Sequence, residues 1–260
     1  MVTVATGGCV LSGLHWQKSA DGLQAARLEY AAAKIRFKDA SEFEKPAHAV
    51  TLTQPFYMGK FDVTQEQYQM VTGTNPSRSI GKNQPVGHVS WDDTQEFCKL
   101  LTARTTQTVR LPTEAEWEYG CRAGTATAYH SGDTQADLDR VGWHLYNNNY
   151  STSAYPVGQK EANAFGLYDM HGNIWQRCQD WYGKEYYRNS PAENPQGPIS
   201  VSDDFGLHVL RGGSYSDFPL SCTSAHRRLW SDPPLSNFGF RVVLPVDLPR
   251  WVSALNKPKS

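Results

Sequence analysis

With 260 residues and a mass of 29.1 kDa, the chain can bury a sizeable core as one domain, and 39% hydrophobic against 20% charged residues is a folded rather than a disordered composition. A formal net charge of −1 and a pI of about 6.7 give no global electrostatic reason to expect nucleic acid or an anionic membrane as partner. No run approaches the ~18 apolar residues of a transmembrane segment.

The start, MVTVATGGCVLSG, lacks the basic leader and full apolar stretch of an intact signal peptide. Localisation is left open; a removed leader would place the protein at the cell surface or outside the cell. Five scattered cysteines, Cys9, Cys98, Cys121, Cys178 and Cys222, have no zinc-ligand spacing and are too few for a disulfide scaffold, so buried thiols are expected.

In chain order, residues 2–4 suit a strand and the alanine-rich stretch 23–37 suits a helix by propensity. Residues 48–57 alternate as a strand. Thr64-x-x-Gln67 is a capping box that opens a helix to about Val71, and Ser90-x-x-Asp93 opens a second with Trp91, Cys98 and Leu101 on one face. A short strand at 109–111 stops at Pro112. Thr113-x-x-Glu116 caps a third helix that carries Trp117 and closes at Gly124. Beyond it periodicity fades. Residues 146–150 (YNNNY) and 190–200 are loop compositions, with short strands expected at 209–211 and 240–243. Gly212 and Gly213 point to a backbone conformation that side chains exclude, and Trp91, Trp117, Trp175 and Trp181 to buried anchors. The whole reads as one loop-rich α+β domain.

Seven segments in order carry a resemblance: FYMGKFDVTQEQY (56–68), PVGHVSWDDTQEFC (85–98), VRLPTEAEWEYGCRAGT (109–125), YPVGQ…NAFGLYDMHGNIWQRCQDWY (155–182), NPQGP (194–198), VLRGGSY (209–215) and NFGFRVV (237–243). Together they resemble the formylglycine-generating enzyme, or sulfatase-modifying factor, family. The resemblance implies a C-type-lectin-like fold with little regular secondary structure. It covers a family core at 47–243, after a poorly matched part at 1–46 and before a tail at 244–260, within a single domain.

Catalytic members of that family carry two cysteines that bind copper(I). Their site positions fall here on Ser214, Asp217 and Cys222, so a carboxylate stands where the first thiolate would be. Soft Cu(I) prefers sulfur, and copper-dependent oxidation is therefore not expected. A family calcium site implied at Gly172, Ile174 and Gln176 has Gln176 in place of its glutamate, so any calcium there would be weak. No H-x-H, H-E-x-x-H, phosphate-loop or G-x-S-x-G pattern offers another chemistry.

Residues 214–240 contain no Lys, Glu, Gln or Met, though all four occur earlier. Turn-rich loops favour such compositions in any case. The segment also resembles the ends of the variable proteins of diversity-generating retroelements, whose adenine-directed mutagenesis of asparagine codons cannot produce those four residues. Ser216, Asp217, Phe218, Leu220, Ser221, His226, Leu229, Ser231, Asp232, Leu235 and Ser236 fit that alphabet. With Tyr215 and Trp230 they form the expected binding face for a protein or other macromolecular ligand. The alternative is an oxidoreductase of the same family that works without the cysteine pair.

Overall fold

The computed structural model describes residues 16–18, 26–28, 42–81, 83–105, 107–198, 207–230 and 234–246. The expected strand at 2–4, Cys9, Ser231 and Asp232 lie outside them. Three helix starts follow the local chemistry read from the sequence. Thr64 caps α1 (Gln65–Thr72), its hydroxyl accepting from Gln67 N–H at 3.3 Å while Gln67 Oε1 accepts from Thr64 N–H at 2.9 Å. Ser90 and Asp93 bond reciprocally at the start of α2 (Trp91–Thr105), which buries Thr94, Phe97, Cys98 and Leu101. Thr113 and Glu116 repeat the capping box at α3 (Glu114–Arg122), where Glu116 also takes both guanidinium nitrogens of Arg110 at 2.6 and 2.7 Å. The chain leaves α3 through left-handed Ala123 and Gly124.

Other expectations need correction. Of the stretch read as helical, Ala26–Leu28 is a strand, β2, paired antiparallel with β3 (Val50–Leu52). The strand expected over 48–57 is two pieces, β3 and β4 (Phe56–Gly59), with Pro55 between them unable to donate to a ladder. Residues 109–111 form only a bridge, Arg110 to Val243. The strand expected at 240–243 is instead β8 (Phe238–Gly239) and β9 (Val243–Pro245), on either side of residues 240–242. Among the elements not anticipated are α4 (Gln135–Val141), capped by Thr134 with Asp137, and β5 (Trp175–Trp181).

The strands form three small sheets. β1 (Trp16–Lys18), β4 and β9 make one, β2 and β3 a second, and β7 (Arg227–Trp230), β6 (His208–Arg211), β5 and β8 the third, in that order. β8 runs parallel to β5 and the other pairings of this sheet are antiparallel. A one-turn helix, α5 (Tyr186–Asn189), follows β5.

Two main clusters fill the interior. One packs Trp117 and Cys121 of α3 on Met58, Met170, Cys178 and Val209, and the other packs Tyr68, Phe97 and Leu101 of α1 and α2 on Phe240 and Val242. Trp117 and Trp175 are fully buried, whereas Trp91 and Trp181 are half-buried and sandwich His208 at 4.0 and 3.7 Å. The four described cysteines are buried and free.

The third sheet is tied to α3 by charge. Arg227 grips both oxygens of Glu114 at 2.8 and 2.5 Å, and Arg211 meets Glu118. The Asp180 carboxyl, which accepts from Glu114 N–H, is pushed well above the usual carboxylate range by burial and by the adjacent Glu114 charge. This network fixes β6 and β7, and so fixes the segment between them.

Candidate functional site

That segment, 212–226, leaves β6 through two glycines in the left-handed region, Gly212 at φ 95° and Gly213 at φ 74°. A Cβ on Gly213 would lie 2.6 Å from Cys222 Sγ and 2.8 Å from Ser221 O, so the two ends of the loop touch through a position only glycine can hold. Ser214 is fully buried. Its hydroxyl contacts Asp217 and accepts from the Asn237 amide at 3.0 Å. Tyr215, expected on the binding face, is instead a clamp. It is 6% exposed, with its N–H on Asn173 O, its carbonyl taking Asn148 Nδ2 and its hydroxyl donating to Thr152 O.

Asp217 also turns inward. Its Oδ2 accepts the Trp175 indole N–H at 2.7 Å and its Oδ1 takes Arg228 at 3.4 Å. Cys222 sits among Ala128, Tyr129, Leu138 and Val141, and burial pushes its thiol well up from the ordinary thiol range. The carbonyl of Cys222 takes a hydrogen bond from His171 Nδ1 at 2.7 Å, while His171 Nε2 accepts from His130 N–H. That holds His171 as a neutral ring, and burial lowers its pKa to about 3.

Ser216, Phe218 and Leu220 face solvent, the last two 57% and 46% exposed. Leu235 and Ser236 are exposed too, and Asn237 joins their stretch to Ser214 and Ser216 through one amide. Ser221 and Leu229 are half-buried. His226 pairs with Glu44 at 3.2 Å, and Trp230 packs on Phe238 at 5.3 Å. The expected residues thus divide: Ser216, Phe218, Leu220, Leu235 and Ser236 form the outer surface, and Tyr215, Asp217, His226 and Trp230 support the frame.

Sequence reasoning missed the partner of this surface. Residues 144–155 lie against it, with Leu145 N–H donating to Asp217 O at 2.9 Å and the Tyr146 ring edge-on to Phe218 at 5.7 Å. Tyr146 and Tyr150 are 60% and 99% exposed. The available signal was two tyrosines framing three asparagines, read only as loop composition.

Neither metal of the resemblance fits these side chains. Gln176 Oε1 accepts from both Trp117 Nε1 and Arg241 Nε at 2.6 Å, and Gly172 O accepts from Ile174 N–H. Gln176 Oε1, already facing an indole N–H and a guanidinium, does not suit Ca²⁺, which needs oxygens free of such donors. For Cu(I), Cys222 supplies one buried sulfur, and Asp217 offers a hard carboxylate already engaged by Trp175 and Arg228. Anaerobic Cu(I) titration against a competing chelator should therefore find no tight stoichiometric site. Mass spectrometry should find no aldehyde on a sulfatase-type cysteine peptide. Tight 1:1 copper with peptide oxidation would contradict this assignment of Asp217.

The model of the sulfatase-modifying factor enzyme 1-like domain matches residues 27–246. The chain belongs to this family. Among its relatives in the sulfatase-modifying factor family, the formylglycine-generating enzyme of Streptomyces coelicolor is 33% identical over 180 residues, covering 64% of this chain and 54% of that one. The chain thus spans about half the length of that enzyme. Chaperone protein LppX of Paenibacillus barcinonensis is 30% identical, covering 60% of this chain and 70% of that one. Among solved structures, Treponema denticola variable protein 1 superposes with a TM-score of 0.77 at 25% identity, covering 90% of this chain and 95% of that one. PvdO from Pseudomonas aeruginosa gives a TM-score of 0.69 at 26% identity, covering 79% and 86%. The lectin-like family fold implied by the seven segments is thereby established. Among the described residues of this sulfatase-modifying factor domain, no helix is long and apolar enough to cross a membrane.

Proposed function

We propose that this protein binds a macromolecular ligand, most simply a folded protein, through the surface of Ser216, Phe218, Leu220, Leu235 and Ser236, and performs no copper chemistry. The observation that carries the proposal is the division just described. Within one short segment, the residues that hold the fold (Gly213, Ser214, Tyr215, Asp217, Cys222) interleave with Ser216, Phe218 and Leu220, whose side chains face solvent. Such an arrangement lets the outer side chains change without disturbing the backbone, as a paratope requires. The likeness to a variable protein over nearly the whole chain, and to a relative named as a chaperone, supports binding over turnover.

On this reading the residue alphabet of 214–240 records diversification of the exposed positions. Sequencing the coding segment in many isolates, together with its neighbouring DNA, tests it. The expected result is a nearby reverse transcriptase and near-copy of the segment, with variation concentrated at codons 216, 218, 220, 235 and 236. Variation spread evenly through Gly213, Tyr215 and Cys222, or a biosynthetic gene cluster around an invariant segment, would instead favour the family's oxidoreductase alternative.

A further inference from the structure

We propose that the loop of residues 144–152 is a second, fixed half of the binding surface, with Tyr146 and Tyr150 as aromatic anchors for an apolar centre on a folded protein partner. This rests on the binding reading above and adds residues to it. Leu145, Tyr146 and Tyr150 on this loop and Phe218 and Leu220 on the facing segment make up five of the nine large hydrophobic side chains exposed among the described residues. The two segments are joined by Leu145 N–H to Asp217 O, by Asn148 Nδ2 to Tyr215 O at 2.8 Å and by Tyr215 OH to Thr152 O at 2.9 Å. The five therefore sit on two bonded segments and are not scattered singly over the protein.

Tyr150 is the informative residue. Its side chain is 99% exposed and contributes nothing to the core, yet its backbone is left-handed at φ 59°, directly after Asn149 at φ 49°. Glycine or asparagine would hold that conformation more easily, so the fold gives no reason for a tyrosine there. Strain retained at an exposed tip points to a use for the side chain outside the fold.

The loop is also held in advance of binding. Asn147 donates to Gly142 O at 2.9 Å and to Asp139 at 3.1 Å, Tyr150 N–H donates to Asn148 Oδ1 at 2.9 Å, and Tyr155 OH bonds Asn148 O. Little ordering entropy remains to be lost on docking. Because His144 and Asn148 are buried, the loop cannot be exchanged freely, unlike the outer positions of 216–236.

The chemistry names the partner class. Residues 144–152 (HLYNNNYST) and 214–222 (SYSDFPLSC) contain no Lys, Arg or Glu, and the Asp217 carboxylate is turned inward. Phosphate backbones and acidic glycans find no cation in these segments. Tyrosine, phenylalanine and leucine beside asparagine and serine amides and hydroxyls fit the desolvated centre of a protein–protein contact.

The test is a displayed library of the full chain, randomised at Ser216, Phe218, Leu220, Leu235 and Ser236 and selected against lysozyme as a model protein. Recovered binders then receive Tyr150→Gly or Tyr146→Ala. The expected result is at least a tenfold loss of affinity in most clones, with an unchanged or higher Tm for Tyr150→Gly. Affinities held within twofold would overturn the anchor role while leaving the variable face standing. Failure to recover any binder would overturn the binding reading itself. A concentration-dependent dimer of the parent that Tyr150→Gly abolishes would assign the face to a second copy of the chain, against this proposal.

Discussion

Truncating Trp117 to alanine is expected to destabilise the protein by about 3–5 kcal/mol, the usual cost of removing a large buried aromatic side chain. The ring is fully buried against Met58, Met170 and Cys178, lies 5.2 Å from the Arg211 guanidinium and approaches Gly212 closely enough that a Cβ there would sit 3.2 Å from it. Its indole N–H donates to Gln176 Oε1, so alanine would both open a cavity and remove one of that oxygen's two donors. Trp175→Ala should cost a similar amount. It packs on Leu210 and Phe238, and its indole N–H anchors Asp217 and hence the binding segment. At roughly 2–4 °C per kcal/mol for a chain of this size, either variant should lower the melting temperature well outside error. A variant that melts like the parent would show that the aromatic frame is not what holds the loops.

Arg211→Met should be comparably severe, because it leaves three carbonyl oxygens without their donor at about 1–3 kcal/mol for each that stays buried and unsatisfied. Arg211 is fully buried and donates to the carbonyls of Ser224, Ala225 and His226 while meeting Glu118. Methionine fills much of the volume and satisfies none of those oxygens. Arg122 and Arg227 would still neutralise Glu118 and Glu114, so the loss should come mainly from the orphaned carbonyls at the end of the binding segment. Arg188→Met is the control. Its pair with Glu185 is 70% and 56% exposed, and an ion pair so open to solvent contributes ~1 kcal/mol or less. Urea melts of the two variants compare them directly; equal midpoints would contradict the role given to Arg211.

The parts of the fold legible from sequence were those set by local chemistry. Three helix starts were readable because a capping box needs only four consecutive residues. α4 has the same signature in Thr134 and Asp137, but with seven residues and only Leu138 and Val141 buried it shows too little periodicity to notice. β5 was hidden for a different reason. In Trp175–Trp181 both faces are largely buried, so Gln176, Arg177 and Asp180 lie inside where alternation would place apolar groups. Their partners, Trp117, Arg241, Val89 O and Glu114 N–H, come from distant parts of the chain.

The candidate site was legible in part. Its segment stood out by composition, and Gly212 and Gly213 announced a special backbone. Which residues point outward was not readable, because a loop has no period to sort its faces. Tyr215 and Asp217 fit the alphabet of the surface yet serve the frame through contacts with Thr152, Asn148 and Trp175. The tyrosines of residues 146–150 join the surface because Leu145 and Asn148 bond Asp217 and Tyr215 across more than sixty residues of sequence.

An exchangeable surface on a fixed frame can be read from the melting temperature of one variant. In it Ser216, Phe218, Leu220, Leu235 and Ser236 are all replaced by alanine. Exposed substitutions usually shift stability by no more than about 0.5 kcal/mol each, so the expected result is a single cooperative transition within a few degrees of the parent. Tyr215→Ala and Cys222→Asp, made in the same segment, should each melt far lower. A large drop for the five-residue variant, or parent-like melting of Tyr215→Ala, would contradict the division between surface and frame on which the proposed function rests.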